Sequence, residues 1–226
     1  MSDYTTGPNT FEQLCWSAHA FRGRDDDALS MTVITPQFGA ALLEGKPDAD
    51  WSSLVRYTNQ WNTRISPDKA PSIAHAIATA APYLTPLAAS ALEFDDLRCS
   101  TLDVIERAFD CLTAAHGVGP TAASAILTAL NPQLFVSWSD GIRNAYFPDD
   151  KPNGATYSQF LTVMRMATLS IVSDARGQHG IDDPAGQLST ELGIDPPFSL
   201  AKFIDEYNWL TLERGMAQQP EVAAAV

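Results

Sequence analysis

Residues 101–130 constrain the fold more than any other stretch, because two segments of helical periodicity are separated there by only four residues, His116-Gly117-Val118-Gly119. In TLDVIERAFDCLTAA (101–115), Leu102, Ile105, Phe109 and Leu112 recur on one helical face, and Ser100 reads as the N-cap. Pro120 stands at the first position of the second helix, where its missing N–H is not needed. That helix is predicted to run to about Leu130, before Asn131-Pro132 ends it. So short a turn folds the second helix back on the first. Two glycines around Val118 allow the reversal, tuck Val118 between the helices and leave the first amides of the second helix unpaired. Those amides, with the helix dipole, make an anion site that needs no lysine.

The rest of the chain reads in the same idiom. Phe11, Leu14, Cys15, Ala18 and Phe21 predict a helix over 11–21. A charged turn at 22–27 leads to Met31–Thr35, the one strand-like run. Helices are predicted at 37–44, 50–63, 70–80 and 86–93, with Pro82 and Pro86 as punctuation. Asp140 or Ser139 caps a helix ending at Tyr146, and two more, 155–174 and 199–214, close the fold. The fold class is mostly α. At 226 residues and 45% apolar content the chain suits one large domain or two small lobes. The expected division is an N-terminal helical segment (1–50) packing on a C-terminal lobe, a helical lobe carrying the hairpin (51–147), C-terminal helices (148–215) and a disordered tail (216–226).

Charge and composition exclude several classes. With 27 acidic against 14 basic residues the net charge is −13, so an overall basic footprint for nucleic acid is absent; a local site can still oppose the global charge. Only Lys46, Lys69, Lys151 and Lys202 are lysines. Cys15, Cys99 and Cys111 lie far apart with no CxxC spacing, which predicts buried, reduced thiols in a cytoplasmic protein. The start of the chain has no signal-peptide pattern, and the uncharged run Ile73–Leu92 is too weakly apolar and too broken to span a bilayer. His19, His75, His116 and His179 form no ligand spacing, and no Walker loop, nucleophile elbow or dinucleotide fingerprint occurs, so no metal and no cofactor are expected.

About twenty residues past the hairpin glycines comes FVSWSDGIR (135–143). Together with GVGPTAASAILTALNPQLF (117–135), it resembles the helix-hairpin-helix (HhH-GPD) superfamily of DNA glycosylases over 101–147, and more loosely over 50–215. The resemblance implies a two-lobed helical body with a cleft. Gly117, Val118, Gly119, Thr121 and Ala122 would grip a phosphate of double-stranded DNA, and a flipped nucleotide would enter the cleft. The family's essential aspartate would fall on Asp140, stabilising positive charge on the sugar and orienting a water towards C1′. Bifunctional members carry a lysine where this chain has Thr121, so the expected enzyme is a monomeric, monofunctional glycosylase that leaves an abasic site. The register is offset: counting eighteen residues from Thr121 lands on Ser139, and placing the aspartate on Asp140 takes a one-residue slip within 131–135. Trp138 and Arg143 flank the acid as candidates for the base pocket. Tyr57, Trp61 and Arg64, at i, i+4 and i+7, are further candidates for stacking on an extruded base. Members of the superfamily that remove hypermodified phage bases, such as glucosylated hydroxymethylcytosine, suggest antiviral defence. The alternatives are a hairpin module that binds DNA without chemistry, and a hydrolase of free nucleosides or nucleotides.

Overall fold

The computed structural model describes residues 7–22, 36–46, 50–93 and 96–216. The strand-like run at 31–35, most of the charged turn and nearly all of the tail lie outside them. Every regular element among the described residues is helical: α1 (Phe11–Arg22), α2 (Pro36–Leu43), α3 (Trp51–Asn59), α4 (Ala70–Leu84), α5 (Cys99–Thr113), α6 (Pro120–Leu130), α7 (Asp140–Tyr146), α8 (Gly154–His179), α9 (Pro184–Glu191) and α10 (Leu200–Asn208), with a closing π-turn at Trp209–Glu213. None of them is long and apolar enough to cross a membrane.

At the centre lies α6, in which every residue from Ala122 to Leu130 is buried. A run this uniformly small and apolar has no face for water, so it needs neighbours on all sides. α2, α3 and α5 pack on it. α4 lies along α5, and α5 along α8, where an added Cβ at Gly154 would stand 2.3 Å from the Glu106 carbonyl oxygen. α1 packs on α10 and α8. Phe109 of α5, Trp138, and Tyr157 and Phe160 of α8 form a fully buried aromatic cluster, with Phe109 and Tyr157 stacked at 4.7 Å between ring centroids.

A buried charge network ties the N-terminal helix to the C-terminal one. Arg22 donates to both Glu206 oxygens at 2.7 and 3.1 Å, and Lys202 donates to Asp205 at 3.3 Å. Asp205 is fully buried, and its other oxygen accepts the Ser137 N–H at 2.9 Å. Burial pushes the Asp205 carboxyl above its ordinary range, against the pull of Lys202. The bond to Ser137 fixes the extended segment that delivers Trp138 and α7.

Several expected boundaries move. α3 stops at Asn59 rather than 63, because the Asn59 side chain takes over the backbone that follows: it donates to the Ile65 carbonyl at 2.8 Å and accepts the Ile65 N–H at 2.7 Å. Asn62 and Arg64 then sit at φ of 58° and 53°. α4 runs through Pro82 to Leu84, since a proline in the last turn forfeits a single bond, and the expected helix over 86–93 is reduced to a 3-10 turn at Thr85–Leu87. Ser100 lies inside α5, which starts at Cys99 with no side-chain cap. α8 continues to His179, and α9, capped by Asp183, is an element that periodicity missed. The cysteines form no disulfide, yet Cys99 is exposed and the other two are only half-buried, contrary to the expected burial.

Candidate active-site cleft

Four separate segments converge on one cleft of about 400 Å³. The turn after α3 supplies Trp61, Asn62 and Thr63, and the start of α6 supplies Gly119 to Ala122. The start of α7 supplies Ser139 and Asp140, and the π-turn supplies Glu213.

The hairpin wall is built by its turn. Val118 is buried and its N–H bonds the Ala115 carbonyl at 3.0 Å. Gly117, at φ +87°, makes the reversal in a region that L-residues avoid. Gly119 is the N-cap of α6 in extended backbone and has no side chain to cap with, and the first intrahelical bond is Ala123 N–H to the Gly119 carbonyl at 2.9 Å. Among the described residues the N–H groups of Gly119, Thr121 and Ala122 have no intramolecular partner. They stay available as donors at the positive end of an eleven-residue helix.

The acid wall faces it. Thr121 Oγ1 donates to Asp140 Oδ1 at 3.3 Å, so the hairpin and Asp140 are side by side although 19 residues apart. The Asp140 side chain is 79% exposed, and Arg143 donates to the same oxygen at 2.6 Å. Asp140 is the first residue of α7 and not its cap. The cap is Ser139, whose hydroxyl accepts the Ile142 N–H and donates to Glu213 Oε1. That oxygen also accepts the Gly141 N–H at 3.0 Å. Glu213 is thus a second carboxylate in the cleft wall, unanticipated from the sequence.

The remaining candidates divide. Trp61 lines the cleft, 5% exposed. Tyr57 is buried away from it, and burial together with the Asp205 charge pushes its hydroxyl well above the ordinary value. Arg64 is exposed and outside the lining. The Tyr57–Trp61–Arg64 face expected of a helix does not form, because α3 has ended by Asn59. Trp138 is likewise not a pocket residue: it is fully buried among Phe109, Tyr157 and Phe160. Arg143 stands over the Trp138 ring at 5.6 Å with its side chain 15% exposed, so it holds Asp140 and does not line the opening. His116 is exposed on the turn. Among the described residues no group of three or more His, Cys, Asp and Glu side chains is arranged to hold a metal ion.

The cleft therefore offers amide donors, two carboxylates, two threonine hydroxyls and a serine hydroxyl, the Asn62 side-chain amide and one tryptophan. Its lining contains no lysine and no histidine. Such a set can hold an anion at the α6 amides while placing negative charge a few ångströms away, next to a centre that becomes electron-poor. Compared with known proteins, the chain matches no family model, no curated protein and no solved structure.

Proposed function

We propose that the protein is a divergent helix-hairpin-helix DNA glycosylase that hydrolyses the N-glycosidic bond of a flipped, modified base and leaves an abasic site. The observation that carries this reading is the pairing, in one cleft, of unpartnered α6 amides with the Asp140 carboxylate, joined through Thr121 at 3.3 Å. A backbone phosphate held by amides fixes the strand without lysine, and the acid beside it stabilises the positive charge that develops on the sugar as the base departs. A cleft of about 400 Å³ falls within the usual range for small-ligand sites and suits one extruded nucleoside. The net charge of −13 opposes tight binding to ordinary duplex, which favours a substrate whose base is easy to extrude or bulky enough to be recognised. Glucosylated hydroxymethylcytosine in phage DNA is the substrate we put first.

The test is abasic-site formation on plain duplex, alkylated duplex and phage DNA carrying glucosylated hydroxymethylcytosine. Abasic sites on the modified DNA are expected. Borohydride added during turnover should trap no protein–DNA adduct, because Thr121 cannot form an imine. Absence of abasic sites on all three substrates, beside an active control glycosylase, refutes the reading.

A further inference from the structure

We propose that Glu213 is the general base of this cleft, taking a proton from the water that attacks C1′, while Asp140 acts only by its charge. The inference rests on the glycosylase reading and assigns the two carboxylates different work. Asp140 is committed to Arg143 at 2.6 Å and to Thr121 at 3.3 Å, both through Oδ1. The guanidinium holds this carboxylate in place beside the α6 amides, with both bonds on one oxygen. Glu213 is held differently. Its Oε1 takes the Ser139 hydroxyl and the Gly141 N–H at 3.0 Å, and no cation bonds it among the described residues. These two donors orient the group through Oε1 and leave Oε2 to meet a water molecule.

The backbone makes room for this arrangement. A Cβ at residue 141 would stand 2.6 Å from Glu213 Oε1 and 2.9 Å from its Cδ, so any larger residue would make the carboxylate shift from its seat over the first turn of α7. Glycine is among the poorest residues inside a helix, and nothing else in α7 requires one.

The reaction balances without a co-reactant other than water. The C1′–N bond breaks with its electron pair leaving on the base, and the water oxygen bonds to C1′. Glu213 takes one water proton and releases it to solvent, while the departing base takes up one proton. One water is consumed, and one free base and one abasic sugar are formed.

The test compares E213Q, D140N and G141A with the wild type on phage DNA carrying the glucosylated base, reading single-turnover abasic-site formation against pH, DNA affinity and Tm. E213Q keeps the size of the side chain and an oxygen for the two donors. It is expected to slow cleavage by about 10²- to 10⁴-fold and to lose the acid limb of the rate profile, with affinity unchanged. G141A leaves both acids in the chain but drives the Glu213 carboxylate out of place, and should reproduce the E213Q profile. D140N is expected to be slower with the acid limb intact. If E213Q cleaves within about threefold of the wild type with its acid limb preserved, Glu213 merely caps α7 and the proposal is overturned. If D140N loses the limb instead, the base is Asp140 and the proposal is equally overturned. A wild type that makes no abasic sites fails the glycosylase reading itself, and the role of Glu213 with it.

Discussion

Replacing Gly119 with alanine separates what the fold requires of the hairpin from what a ligand requires. Gly119 has φ −81° and ψ 175°, extended backbone open to any residue, and a Cβ built on it meets no atom within 4 Å. Alanine loses less chain entropy on folding, worth about 0.4–1 kcal/mol in its favour, but is a worse N-cap than glycine by a comparable amount. The two effects offset, so Tm should move by less than about 2 °C in a chain of this size. The methyl group, however, would occupy the space beside the Gly119, Thr121 and Ala122 amides where the proposed phosphate would sit. Loss of one charge-assisted hydrogen bond there costs about 1.5–3 kcal/mol, or about 10- to 150-fold in Kd. Gly117 supplies the contrast. Its Cβ also meets nothing, but φ is +87°, so alanine there is strained by about 1–2 kcal/mol and should lower Tm by about 2–8 °C. Fluorescence anisotropy on a short duplex at low salt, alongside thermal melts, reads both. G119A that binds as tightly as the wild type, with Tm unchanged, refutes phosphate recognition at this turn; G119A that melts more than about 5 °C lower means that glycine serves the fold.

Three further substitutions test the scaffold. K202M leaves the fully buried Asp205 without its cation and is expected to cost about 3–5 kcal/mol at pH 7. Because the folded state holds the Asp205 proton more tightly than the ordinary value of 3.8, stability falls as pH rises through the folded value, so the K202M deficit should shrink towards pH 4; denaturant titrations at both pH values that give equal deficits refute this. D50A removes the N-cap of α3 and should cost about 1 kcal/mol at pH 7. Hydrogen bonds from Ser53 and Ser52 hold the Asp50 carboxyl down at about 2, so this contribution is present above 3.8 and is lost as pH falls towards 2, which denaturation of wild type and D50A over that range will show. G154A must push α8 away from the α5 backbone and should destabilise by about 1–3 kcal/mol in a denaturant titration, with no effect if the helices separate freely.

Which elements were legible follows from how local their causes are. α1, α5 and α6 carry their own evidence: apolar residues at helical spacing, a proline at the first position, an Asn-Pro stop. α9 does not. Its sequence PAGQLSTE has a thin apolar face, and it forms because Asp183 caps it and because Ala185 and Leu188 are buried where it packs on α8 and α10. α3 was read too long because Trp61 continues the spacing set by Tyr57. Periodicity cannot register that the Asn59 side chain bonds the Ile65 backbone and turns the chain aside.

The site divides along the same line. The hairpin amides and Asp140 were legible because the turn and the helix start that create them are contiguous in sequence. Trp138 was drawn towards the pocket only by standing two residues before Asp140; α7 begins at Asp140, and the tryptophan ahead of it is fully buried in the aromatic cluster. Glu213 lies 72 residues from Gly141, and no spacing rule reaches that far. One local mark of it did exist. A glycine at the second position of a short helix weakens that helix, and no turn or left-handed backbone at 141 excuses it. Such a glycine leaves room for a group from elsewhere in the chain to approach the backbone closely. Here that group is a carboxylate, which takes the Gly141 N–H at the positive end of α7, where a negative group is favoured over a neutral one.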